Sequence, residues 1–81
     1  MKIRINGRDQ DLPEGSTLEH VAGIVRAATA DDPMLQAIRA RTGADHISYI
    51  VNGQVIPASA LGSRLVRDGD DVRWIHPAFG G

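Results

Sequence analysis

The residues with the most chemistry to offer are the last two, Gly80 and Gly81. A glycine at a carboxyl end presents its carboxylate with no side chain beside it. A Gly-Gly pair also lets the backbone pass through a channel too narrow for a Cβ. A carboxylate is unreactive until one of its oxygens becomes a good leaving group, so an activating step must come first. Gly81 is therefore the candidate reacting residue, and Gly80 is the residue that threads behind it. Pro77, Ala78 and Phe79 form the arm that carries them. The competing reading is an end that frays, where small residues are common.

Other candidates carry less. The three histidines, His20, His46 and His76, are not at paired ligand spacing, which argues against a metal site. Ser16 with His20 is explained without nucleophilic chemistry, because Ser16 and Glu19 read as a capping box at a helix start. Asp68, Asp70 and Asp71 with Glu14 surround a glycine turn but follow no calcium-loop pattern; they read as a solvated loop or a complement to a basic partner. The chain has no cysteine, which excludes a disulfide framework, a thiolate zinc site, an iron–sulfur cluster and a cysteine nucleophile. The net charge of −1 shows no basic excess, so nucleic acid is not an expected partner. No apolar stretch is long enough to span a bilayer, and the alternating Met1-Lys2-Ile3-Arg4-Ile5 opening is no signal peptide. No membrane partner and a cytoplasmic location are expected.

At 81 residues the chain has material for one domain and too little for a deep active-site cleft. A carrier, adaptor or subunit is expected rather than an enzyme. Lys2 to Ile5 alternates at period two, Asn6-Gly7 is a hairpin turn, and a second strand runs from Arg8 to Leu12. Leu18, Val21, Val25 and Ala28, with Ala22 and Ile24 beside them, predict a helix over about 17–30. Asp32 as N-cap, Pro33 at the first position and Gly43 at the close predict a shorter helix over 33–42, with Met34, Leu35 and Ile38 turned inward. Strands follow at 47–51 and 54–56, joined by Asn52-Gly53; Pro57 stops the second, as suits an edge. Residues 58–66 predict a short helical turn and 72–76 the last strand. Trp74 and Ile75 must then face opposite sides of the sheet, one filling the core and the other on the open face, where it is a partner anchor, a residue covered by a loop or a lone exposed residue. The order predicts an α+β, ubiquitin-like β-grasp. Its mixed sheet of four to five strands packs on one main helix, with a short second helix. The domain spans 1–76 and a flexible C-terminal tail spans 77–81.

Four segments then resemble a known family. They are Ile3-Arg4-Ile5-Asn6-Gly7, Val51-Asn52-Gly53-Gln54-Val55-Ile56-Pro57, Asp68-Gly69-Asp70 followed by Val72, and the terminal Gly80-Gly81. Together they resemble, in order along the whole chain, the ThiS/MoaD-like sulfur-carrier proteins of the thiamine and molybdopterin pathways. The resemblance implies a carrier whose Gly81 carboxylate is adenylated by an E1-like partner at the expense of ATP. A sulfur-donor enzyme then converts it to a thiocarboxylate. That thiocarboxylate supplies sulfide to thiazole synthase or to the molybdopterin synthase large subunit. The chain would bind no cofactor itself, and the sulfur-handling thiols would belong to its partners. Ile75 and His76, at the root of the arm, are the expected partner contacts.

The segment 52–57 looks more like the thiamine carriers, whereas the length and the helix at 33–42 look more like the molybdopterin subunit. Phe79 departs from the small residue expected beside the glycines, so a partner channel must accept a phenyl ring. The alternative class is a ubiquitin-like protein modifier or a non-catalytic β-grasp interaction module. Lys2 is the only lysine, which weighs against a modifier that builds chains on itself.

Overall fold

Asn6 and Gly7 take up φ values of 49° and 83°, the positive pair that a two-residue hairpin turn of this type requires. They join β1 (Lys2–Ile5) to β2 (Arg8–Asp11) in antiparallel register, with Ile5 opposite Arg8. Asn52 and Gly53 repeat the device at 50° and 84°, joining β3 (Ser48–Val51) to β4 (Gln54–Ile56). The last strand, β5 (Asp71–Ile75), lies between the two hairpins, parallel to β1 and antiparallel to β3. The five-stranded order is β2-β1-β5-β3-β4, which puts the strand stopped by Pro57 at an edge, as predicted. The computed structural model describes residues 1–76, so the expectations for Pro77, Ala78, Phe79, Gly80 and Gly81 lie outside the described residues.

Two helices supply the core-facing apolar side chains between the hairpins. In α1 (Leu18–Ala28), Leu18, Val21, Ala22 and Val25 are buried, the spacing of one helical stripe. Ala28, expected on that stripe, is exposed, because Thr29, four residues after Val25, takes the buried position instead. The capping box is absent. Thr17, not Ser16, is the N-cap, and it makes no side-chain cap bond. The reason is that the first donors of α1 already have backbone partners: Leu18 N donates to Arg64 O (2.8 Å) and Glu19 N to Leu61 O (2.9 Å). Ser16 is buried and its hydroxyl donates to Pro13 O instead (2.7 Å), while Glu19 pairs with Arg26 (2.6 Å).

The second helix, α2 (Pro33–Thr42), matches its predicted bounds and caps. Asp32 Oδ1 accepts from Met34 N (3.0 Å) and Leu35 N (3.2 Å), and Gly43 closes the helix at φ 82°. Leu35 and Ile38 enter the core, but Met34 is 44% exposed, since a helix lying on the domain edge buries only a narrow stripe. Residues 58–66 form less helix than expected, a single 3₁₀ turn at Ala58–Ala60. Beyond it the chain is recruited to cap α1 and to bridge Thr17 with Leu65.

Ile3, Tyr49, Val51 and Val72 meet the helices from the covered face of the sheet. Each fully buried aliphatic side chain there contributes about 1.5–3 kcal/mol. The Tyr49 hydroxyl is the buried side-chain polar atom without a hydrogen-bond partner among the described residues. Burial, reinforced by the nearby Asp45 carboxylate, pushes its pKa up to about 12. The raised value favours the neutral phenol in the folded state. Its contribution is fully present below the ordinary tyrosine pKa near 10 and is lost as pH rises toward 12. Removing an unsatisfied hydroxyl removes that liability. Tyr49→Phe is expected to leave stability at neutral pH unchanged or higher, and to flatten its decline above pH ~10. Denaturant unfolding at neutral and alkaline pH checks this; a clear loss at neutral pH would show a hidden partner for the hydroxyl.

Candidate functional site

The candidate site begins where β5 hands the chain to the segment 77–81, so its geometry is set by whatever holds β5. Both Asn-Gly turns do so with their asparagine side chains. At the end of the strand next to the arm, Asn6 Oδ1 accepts from Trp74 N (2.8 Å) and Asn6 Nδ2 donates to Trp74 O (3.2 Å). With Asn6 N donating to Val72 O (2.9 Å), the asparagine continues the β1–β5 ladder past the end of β1. At the start of the strand, Asn52 Oδ1 accepts from Asp71 N (2.9 Å) and Asn52 Nδ2 donates to Asp70 Oδ1 (3.0 Å). The sequence reads both asparagines as turn formers only. The signal for their second role is that each turn falls beside the strand at the centre of the sheet.

The acidic residues at 68–71 are engaged in the same task. Asp68 Oδ1 accepts from Lys2 N (2.7 Å). The buried Asp70 carboxylate accepts from Arg67 N (2.8 Å) as well as from Asn52. Asp71 pairs with Arg73 (3.3 Å). Among the described residues no group of three or more His, Asp or Glu side chains is placed to hold a metal ion. Nor is any helix among them long and apolar enough to cross a membrane.

Trp74 and Ile75 diverge as the period-two argument requires. Trp74 is half-buried against the core, and Ile75 is 52% exposed on the opposite face. On that open face the register sets Ser48 beside Ile75 and Ile50 between Arg73 and Val55. Val55 is 66% exposed. Ile50, Val55 and Ile75 thus make a small apolar patch, bordered by Arg73, with Arg4 of β1 two residues further down the same face. Lys2, on the same face of β1, is exposed. A hollow of about 400 Å³ lined by Asn6, Gly7, Arg73, Trp74 and Ile75 adjoins the patch. Behind the sheet a second hollow, about 430 Å³, lies between Trp74, Ile5, Ile24 and Ala28.

His76, expected as a partner contact, is exposed but engaged within the domain. Its Nε2 lies 2.9 Å from Asp32 Oδ2, at the start of α2, and its ring lies 5.2 Å from that of Trp74. The Asp32 carboxyl is held below the ordinary carboxylate range, first by the His76 contact and then by the N–H groups of Leu35 and Met34. The two expected contact residues therefore separate, Ile75 standing free on the open face and His76 engaged toward the helices. Gly80 and Gly81, with Pro77, Ala78 and Phe79, belong to the segment outside the described residues.

No family model matches the chain, and no curated protein is significantly similar to it. Among solved structures it is similar to the crystal structure of a thiamine biosynthesis protein (ThiS) from Geobacter metallireducens. The likeness covers 100% of both chains with a TM-score of 0.67 at 20% identity. Agreement along the whole length at so low an identity shows the shared ubiquitin-like β-grasp fold.

The asparagine clamp generates a test. Asn6→Gly retains access to positive φ but loses both bonds to Trp74. The expected outcome is faster hydrogen exchange at the Trp74 amide and a stability loss of about 1–2 kcal/mol. Asn52→Gly should leave the Trp74 amide protected. Equal exchange at Trp74 in the two variants would contradict the assignment.

Proposed function

We propose that this chain is a cytoplasmic sulfur carrier of the thiamine type, acting as the substrate of partner enzymes and binding no cofactor of its own. The observation that carries this reading is the central strand β5, fixed along both edges and running straight into the segment that ends in Gly80-Gly81. A full-length β-grasp likeness to a thiamine biosynthesis protein supports it. A domain of this build offers a rigid base for an arm.

The chemistry falls on the Gly81 carboxylate. One of its oxygens attacks the α-phosphorus of ATP bound to an E1-like adenylating enzyme, and pyrophosphate leaves. Sulfide (HS⁻), released by a donor enzyme, attacks the acyl carbon and AMP leaves. The resulting thiocarboxylate is a sulfide donor for a thiazole synthase, and hydrolytic loss of that sulfur restores the carboxylate. Gly80 lets the backbone enter the nucleotide site, and Pro77, Ala78 and Phe79 span the distance from the domain. The apolar patch of Ile50, Val55 and Ile75, with its arginine border, is the docking face that aligns the arm. A central apolar anchor ringed by charge is the arrangement from which interfaces draw most of their energy.

With the cognate adenylating enzyme, the chain is expected to support ATP–pyrophosphate exchange. Removing Gly81 should abolish exchange and leave the unfolding midpoint unchanged. Ile75→Arg, at a 52% exposed position, should lower kcat/KM at least about tenfold while the fold is kept. Exchange that survives loss of Gly81 would overturn the assignment.

A further inference from the structure

The two oxygens of Asp32 serve different elements. Oδ1 caps α2 through Met34 N (3.0 Å) and Leu35 N (3.2 Å), whereas Oδ2 meets His76 Nε2 at 2.9 Å. The contact spans 44 residues of sequence and joins the helical layer to the last described residue before the arm. A cap alone needs only one acceptor atom, so the second oxygen is surplus to the helix. His76 is held from a second side by the Trp74 ring, at 5.2 Å and 53°. Trp74 is itself fixed through its backbone by Asn6. The depressed titration of the Asp32 carboxyl, owed first to His76, agrees with a bond made to its ionised form. The other ionisable groups on the adjoining segments are Asp31, beside the cap, and Arg73, which is paired with Asp71 on the open face.

We propose that Asp32 and His76 form a clasp that fixes the direction in which the arm leaves the domain, making Asp32 a positioning residue for delivery of Gly81. This rests on the carrier reading for its consequence but not for its existence. Without the clasp, the backbone after Trp74 loses its tether to the helical side among the described residues. The partner must then order it during binding, at the cost of immobilising additional chain. That cost belongs to binding and not to the chemical step, so it appears in KM and leaves kcat alone.

The test separates clasp from cap. Asp32→Ser keeps an effective N-cap but has no second oxygen, and His76→Ala removes the other half. In both variants, backbone amide relaxation at Ile75 and at position 76 should show increased fast motion, while α2 amides stay protected. With the adenylating enzyme, each variant should raise KM for the chain roughly two- to tenfold at unchanged kcat, the scale of ordering one more side chain. The double variant should be no worse than either single one, because both remove the same contact. Unchanged relaxation at position 76 in Asp32→Ser overturns the clasp. Unchanged KM in both single variants, or additive effects in the double, overturns the positioning role assigned to it. If the chain proves not to be a substrate, the carrier reading fails by itself and the relaxation data still decide the clasp.

Discussion

Strands from opposite ends of the chain, β1 and β5, lie side by side and parallel in the middle of the sheet, with Ile5 beside Val72. Parallel neighbours need a long connection, and here everything from β2 to β4 is that connection. The pairing brings Asn6 within reach of Trp74 and Asp68 within reach of Lys2, so the two ends of the sequence brace one another. β3 holds the other edge of β5 through a four-residue antiparallel register. A strand with neighbours on both sides cannot swing. His76, the residue that follows it, therefore leaves the sheet from a defined place.

The polar side chains are distributed by the same constraint. Asp68, Asp70, Asn6 and Asn52 all bind the backbone or side chains around β5. Such bonds to main-chain groups at a strand's ends replace ladder partners that neighbouring strands are too short to supply. The loop carboxylates are thereby committed to the fold. Arg73, Arg4 and Lys2 border an open face whose apolar residues have no cover among the described residues. The domain thus presents a bonded, helix-covered side and an open side.

Most of this architecture is legible in the residues. Two Asn-Gly pairs, the Asp32-Pro33 start, the Gly43 stop and the period-two runs at both ends specify their elements locally, and each appears where it is expected. What is not legible depends on contacts distant in sequence. Ser16 and Glu19 spell a capping box, but carbonyls of Leu61 and Arg64 reach the helix start first. Met34 and Ala28 fit an apolar stripe by spacing, yet both are exposed, and their neighbours Leu35 and Thr29 take the buried positions. The partnership of His76 with Asp32 has no local signature at all, since the two are 44 residues apart. The role proposed for the terminal glycines rests on residue type alone, since they lie outside the described residues.

The central claim is that sulfur is carried on the Gly81 carboxylate. The most direct measurement is the intact mass of the chain after incubation with ATP, a sulfide source and its cognate adenylating enzyme. The account predicts replacement of one terminal oxygen by sulfur, located by fragmentation to Gly81 and reversed when the sulfur is delivered. An unchanged mass under conditions where the enzyme is active, or a covalent adduct between Gly81 and another protein, would contradict it.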